Sequence, residues 1–198
     1  MTEPIDTGTP QPNVRLLAGL GNPGPRYART RHNLGFLVLD ELASRAGAVF
    51  RGNRQAAVAD LGNVRLLKPL TFMNSSGLAI QGEMAKSGIR PGQLLVVHDD
   101  LDLDLGRLRF RFSGSSGGQK GVQDTINRIG KDFWRLKLGI SATPAGWETP
   151  NWVLSRFRND EEALLTEVIR SAADAIEHCL AHGPESAANQ FNGLKLQP

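Results

Sequence analysis

Apolar and polar positions alternate along the chain in blocks whose period changes from one block to the next. Val14 to Leu20 is a nearly unbroken apolar run, the pattern of a strand covered on both faces. After a polar loop, Leu34, Leu37, Val38, Leu42 and Ala46 recur at helical spacing, with Asn33 placed as the N-cap and Gly47 as the stop. Residues 56–61 and 64–69 read as a hairpin across Gly62 and Asn63, and a helix from Ser75 to about Ser87 begins just after Asn74. "QLLVVHDD" predicts a buried strand, apolar through Val97 and abruptly polar at His98. "GRLRFRFSG" alternates basic with apolar residues, a half-buried strand with Arg107, Arg109 and Arg111 on one face. The glycine- and serine-rich "SGSSGGQKG" leads into a helix over 122–129, and "FWRLKLGI" returns as a strand. Finally Leu165, Ile169, Ala172, Ile176 and Cys179 line one face of a long amphipathic helix, opened by a capping box of Asn159 and Glu162 and closed by Gly183. Strands and helices alternate without an internal repeat. The expected architecture is therefore a single α/β domain, a mixed twisted β-sheet surrounded by helices, with a long C-terminal helix.

Composition narrows the setting. The chain has 198 residues, 40% hydrophobic and 22% charged, enough to bury a core without metals or disulfides. Residues 1–13, rich in Pro and Thr, predict a flexible extension; 14–192 form the domain and 193–198 a short tail. No apolar run approaches the roughly 20 residues that span a bilayer, and "MTEPIDTGTPQPN" lacks the basic and apolar regions of a signal peptide. A cytoplasmic protein with no membrane partner is expected. The single cysteine, Cys179, excludes an internal disulfide framework and a cysteine zinc cluster, and its place on a late helix suits a small buried group. The net charge is only +3, yet residues 107–137 hold eight basic residues against Asp124 and Asp132. Such a concentration on a nearly neutral chain suggests a polyanionic partner, nucleic acid first.

"LAGLGNPG", residues 17–24, contains the spacing G-x-G-x-x-G and has Asp40 downstream, so it raises a dinucleotide-binding reading. That fingerprint requires a helix starting inside the glycine turn, whose N–H groups hold the pyrophosphate. Here helical periodicity resumes about nine residues later, and Asp40 falls inside the first helix rather than at the end of a second strand. The polar spacer is more informative, because Asn22, Tyr27, Thr30, Arg31, His32 and Asn33 lie just beyond a strand's carboxyl end, where open α/β sheets place ligands. Asp99 ends another buried strand, and Asn74 stands at a helix start. Histidine, aspartate and asparagine on one sheet edge suit water activation: the carboxylate orients the imidazole, the imidazole takes a proton, and an amide steadies the oxyanion.

Two other patterns fail on inspection. "DDLDLD" spaces Asp100, Asp102 and Asp104 like a calcium loop, but Leu105 occupies the required glycine position and Arg111 the terminal ligand position. "SGSSGG" does not match the G-x-S-x-G elbow of serine hydrolases.

The stretch "GLGNPGPRYARTRHNLG" resembles the signature of bacterial peptidyl-tRNA hydrolases, and "KPLTFMNSSG" and "VVHDDLDLDLGRLRFR" resemble that family's second and third motifs in the same order. The likeness continues through "SSGGQKGVQDTI", "FWRLKLGI" and "VLSRF", covering roughly residues 14–192. It implies hydrolysis of the ester joining a peptide to the 3′ end of tRNA, with no metal or cofactor. By motif position His32 is the implied general base and Asp99 its orienting carboxylate. Asn22 and Asn74 match asparagines that position substrate, and Tyr27 a tyrosine lining the site where the tRNA end enters. Arg107, Arg109, Arg111, Lys120, Arg135 and Lys137 are the expected phosphate contacts, with tRNA as the partner of a monomer.

One motif departs from the family, which commonly carries Gly-Gly-His-Asn-Gly where this chain has Gly117-Gly118-Gln119-Lys120-Gly121. Lys120 thus replaces a substrate-holding asparagine; it can donate to a carbonyl or an oxyanion but cannot accept a hydrogen bond. Lys137 stands where the family often has arginine and lacks the bidentate fork. The competing reading is a non-catalytic RNA-binding protein of the same fold. It has no use for an oriented imidazole, and only the altered glycine loop favours it.

Overall fold

The apolar run that opens the domain becomes the middle of a sheet. In the computed structural model, which describes residues 13–52 and 54–198, β1 (Leu16–Gly19) is buried along its whole length. It pairs in parallel with β4 (Val64–Pro69) on one side and with β5 (Leu94–Asp100) on the other. A hairpin through Gly62 joins β3 (Ala56–Leu61) to β4, as the turn chemistry predicts, and a two-residue β2 (Arg51–Gly52) extends that edge. Beyond β5 lie β7 (Trp134–Gly139), parallel to it, and β6 (Leu108–Phe112), antiparallel to β7. The seven strands run in the order β2-β3-β4-β1-β5-β7-β6, so the sheet is mixed as expected. Apart from Asn13, the expected N-terminal extension lies outside the described residues.

Helices cover both faces. On one face α1 (Leu34–Ala46), α5 (Glu162–His182) and α6 (Pro184–Phe191) pack Val38, Leu42, Val168, Ala172 and Phe191 against Leu17, Leu95, Val97 and Leu136. On the other, α2 (Ser76–Ser87) and α3 (Lys120–Ile129) pack Ile80, Met84 and Val122 against Leu16, Ala18, Leu67 and Val96. Alternate residues of the central strands thus feed two cores, which is why those strands read as continuous apolar runs. Cys179 is buried in the first core, and burial pushes its thiol up to about 12.

The chain breaks its expected pattern at four places. Asn33 occupies the N-cap position of α1, but its side chain does not cap; it bonds the backbone of Asn22 instead. The expected capping box of Asn159 and Glu162 is displaced by one residue, with the Glu161 carboxylate accepting from the Arg158 N–H at 2.7 Å. A short helix, α4 (Thr149–Val153), begins with Pro150 in its first turn, and α6 follows α5 directly after Gly183. Both were unforeseen because neither is long enough to display a helical period.

One close approach decides where the loop after β1 can go. A Cβ on Gly35 would lie 2.4 Å from the Val97 carbonyl oxygen and 2.5 Å from the Leu20 nitrogen, and one on Gly19 would lie 2.5 Å from the Gly35 carbonyl oxygen. The first turn of α1 therefore rests directly on the ends of β1 and β5. Residues 31–33, a single 3₁₀ turn leading into that helix, are thereby held at the carboxyl edge of the sheet.

Candidate active site

The carboxyl ends of β1 and β5 open into a cleft of about 240 Å³ lined by Asn22, His32, Asn74, Asp99 and Lys120, among others. Five of the residues expected to hold substrate or activate water therefore converge. Apolar lining comes from Phe72, Met73, Leu101, Pro150, Val153 and Leu154, and Asp100, Gln119 and Thr149 add polar groups. The short α4 and its C-cap supply Pro150, Val153 and Leu154, and the Pro150 helix-start signal was the available clue.

At the floor, His32 Nδ1 lies 2.8 Å from Asp99 Oδ2, both side chains being almost fully buried. An ionised carboxylate only accepts, so Nδ1 carries the proton and Nε2 keeps its lone pair. The other Asp99 oxygen, Oδ1, accepts from Gln119 Nε2 at 3.0 Å. Gln119 in turn caps α3, its Oε1 accepting from the Val122 N–H at 2.8 Å. Residue-by-residue reading passed over Gln119, since nothing in its immediate sequence predicts a contact with Asp99 20 positions away.

Asn22 is fixed by three bonds. Its backbone N–H and C=O pair with the Asn33 side chain, each at 2.9 Å, and its Oδ1 accepts from the Met73 N–H at 2.8 Å. With the carbonyl oxygen engaged, the amide's donor end is what Asn22 offers the cleft. Asn74 sits in the 3₁₀ turn before α2 and makes no side-chain capping bond, so its amide is not consumed by the helix.

Arg31, beside His32, is fully buried. Its guanidinium stacks 3.7 Å from the centre of the Trp152 ring, bonds Glu161 Oε2 at 2.6 Å and reaches Ser155 Oγ at 3.3 Å. The turn carrying His32 is thereby pinned to α4 and to the approach of α5. A buried cation held by a carboxylate and an aromatic face cannot lose either partner without a penalty of several kcal/mol, about 3–5 for an ion pair broken on one side.

Tyr27 is half-buried and does not line the cleft. It meets Phe72 edge-on at 6.4 Å, so it stands behind the rim, with the Arg26 guanidinium over its own ring. The basic residues divide by position. Arg109 and Arg111 project into solvent from β6, and Lys120 is exposed at the first turn of α3. Arg107 binds the carbonyls of Gly193 and Leu194 and secures the C-terminal tail. Lys137 is ion-paired with Asp100. Arg135, expected among the phosphate contacts, is only 2% exposed and donates to the Gly114 and Ser115 carbonyls. Because β7 lies between β5 and β6, Arg135 braces the glycine-rich loop from beneath; burial and the nearby Arg111 lower the pKa of its guanidinium.

Next to Asp99, His98 is buried, its Nδ1 donating to the Asp99 carbonyl at 2.8 Å, and burial holds its imidazole below the usual value. Among the described residues no group of three His, Cys, Asp or Glu side chains converges as a metal site would require, and no helix is long and apolar enough to cross a membrane.

Known proteins resemble this chain over nearly its whole length. A family model of peptidyl-tRNA hydrolase matches residues 16–198. Peptidyl-tRNA hydrolase of Deinococcus deserti is 45% identical over 193 residues, covering 93% of this chain and 88% of the relative. That of Synechococcus sp. is 46% identical over 198 residues, covering 94% and 96%. The crystal structure of peptidyl-tRNA hydrolase from Acinetobacter baumannii superposes with a TM-score of 0.88 at 32% identity, covering 95% of this chain and 99% of that one. With the family model spanning nearly the whole fold and relatives matched over most of their length, the chain belongs to the peptidyl-tRNA hydrolase family.

Proposed function

We propose that this chain is an esterase that hydrolyses peptidyl-tRNA, releasing peptide and free tRNA, and acts as a cytoplasmic monomer built on residues 14–192. The observation that carries the reading is the 2.8 Å contact between His32 Nδ1 and Asp99 Oδ2 at the floor of a cleft lined by asparagine amides. Water bound against His32 Nε2 gives up a proton to it as its oxygen attacks the ester carbonyl, and Asp99 stabilises the imidazolium that forms. The Asn22 and Asn74 amides donate to the carbonyl oxygen as negative charge develops there. Collapse of the tetrahedral intermediate breaks the bond to the 3′ oxygen of the terminal ribose, which takes its proton from His32. No step requires a metal or a cofactor.

The apolar wall of Phe72, Val153 and Leu154 suits the peptide part, while Lys120, Arg109 and Arg111 face solvent on the side from which a polyanion would approach. Lys120 takes the place of an asparagine as a donor to substrate oxygens, and Tyr27 supports the rim through Phe72. Incubation with a defined N-acylated aminoacyl-tRNA tests the proposal. Wild-type protein should release deacylated tRNA in the presence of a metal chelator, and absence of release would overturn the reading.

A further inference from the structure

Gln119 holds two jobs at once. Its Nε2 donates to Asp99 Oδ1 at 3.0 Å and also lies 3.2 Å from the Met73 sulfur, while its Oε1 accepts from the Val122 N–H. The side chain is buried, and its own N–H donates to the Ser116 carbonyl at 3.1 Å. Its amide cannot rotate to satisfy solvent without breaking both ends of this arrangement. Asp99 is thus held between two donors, His32 on Oδ2 and Gln119 on Oδ1, and its plane is fixed.

We infer that Gln119 is a positioning residue for the Asp99–His32 pair, fixing the carboxylate's plane and sharing its charge between two donors. This role rests on the proposed hydrolysis for its purpose, but its physical content does not. A carboxylate that loses a neutral donor becomes a stronger acceptor, binds the imidazolium more tightly and raises the imidazole's pKa. The other charged or titratable groups around the pair are Asp100 and His98 on β5, Lys137 on β7, Lys120 on α3 and Arg31 beside His32. Replacing Gln119 changes none of them, so a shift at His32 reports the lost donor.

The two jobs can be separated. Serine is a preferred N-cap and can accept from Val122, yet its hydroxyl is two bonds shorter than the glutamine amide and cannot reach Asp99. Asparagine, also a preferred cap, keeps an amide one methylene short of contact. Histidine restores one donor and one acceptor at full reach.

The experiment is a pH titration of the imidazole signals by NMR on the full chain, wild type against Gln119→Ser and Gln119→Asn, with steady-state hydrolysis measured alongside. In both variants the His32 midpoint should rise by about 0.5–1 pH unit, a fraction of the roughly 1–2 units that a whole hydrogen bond to a charged group is worth, because His32 feels the loss only through Asp99. The acid limb of the kcat/KM profile should move with it, kcat should fall about tenfold, and KM should change little. Gln119→His should recover most of kcat at pH 8, where an added imidazole is neutral. Folded Ser and Asn variants with a wild-type His32 midpoint and kcat would reduce Gln119 to a helix cap and overturn the inference. If wild-type protein releases no tRNA, the proposed reaction fails, while the NMR titration still decides the positioning role.

Discussion

Which nitrogen of His32 carries the proton is decided by a single carboxylate. Asp99→Asn would keep the size and place of that group but offer its amide N–H to Nδ1, forcing the proton onto Nε2 and leaving no lone pair toward water. Turnover by this variant should fall about 10²–10⁴-fold, the range expected for loss of general-base catalysis, with tRNA affinity preserved. Pre-steady-state release of tRNA measures the first quantity and filter binding the second. His98 makes a different prediction. Burial lowers its folded-state pKa below the ordinary 6.5, so in that range the unfolded chain binds the proton more readily. The stability it contributes is complete above pH 6.5 and is lost as the pH falls from there toward the folded value. Thermal midpoints between pH 5 and 8 should drop on the acid side, and His98→Gln should flatten that part of the curve.

At the level of elements, the site depends on how closely α1 sits on β1 and β5. Gly35→Ala would place a methyl group inside the contact distance of the Val97 and Leu20 backbones. Overpacking of this kind costs about 1–3 kcal/mol, which for a domain of this size lowers Tm by roughly 3–10 °C. Activity should fall with it, because His32 lies in the turn just before that helix; calorimetry and the hydrolysis assay on one preparation check both. The sheet and its major helices were legible because their apolar runs are long and their periods distinct: β5 reads as apolar from Leu94 to Val97, and the β3–β4 hairpin turns through Gly62. The five residues of α4 are too few to show a period, so the wall made by Pro150, Val153 and Leu154 was hidden. Arg135 misled for a related reason. Its charge was plain in the sequence, but the Gly114 and Ser115 carbonyls that cover its guanidinium meet β7 only once the chain is folded.

At the scale of the whole molecule, buried polar groups and exposed charge occupy different places. The buried pair, the asparagine amides and apolar side chains belong to the cleft, Lys120 stands exposed at its edge, and Arg109 and Arg111 carry exposed charge outside it on β6. His32, Asp99, Asn22 and Asn74 were each recognisable as residues at element ends; their convergence needed the parallel pairing of β1 with β5. The joint substitution Arg109→Glu, Arg111→Glu should raise KM for peptidyl-tRNA at least tenfold with kcat nearly unchanged. The wild type's log–log dependence of affinity on salt should have a slope of about −2 to −3 if three phosphates are neutralised, and the double variant's slope should be smaller. Catalysis by an oriented imidazole is the claim on which the rest depends, and His32→Ala tests it most directly. In a tRNA-release assay on a defined peptidyl-tRNA, that variant should lose turnover by about 10²–10⁴-fold while binding tRNA with near wild-type affinity. Near-normal hydrolysis by His32→Ala would contradict the account.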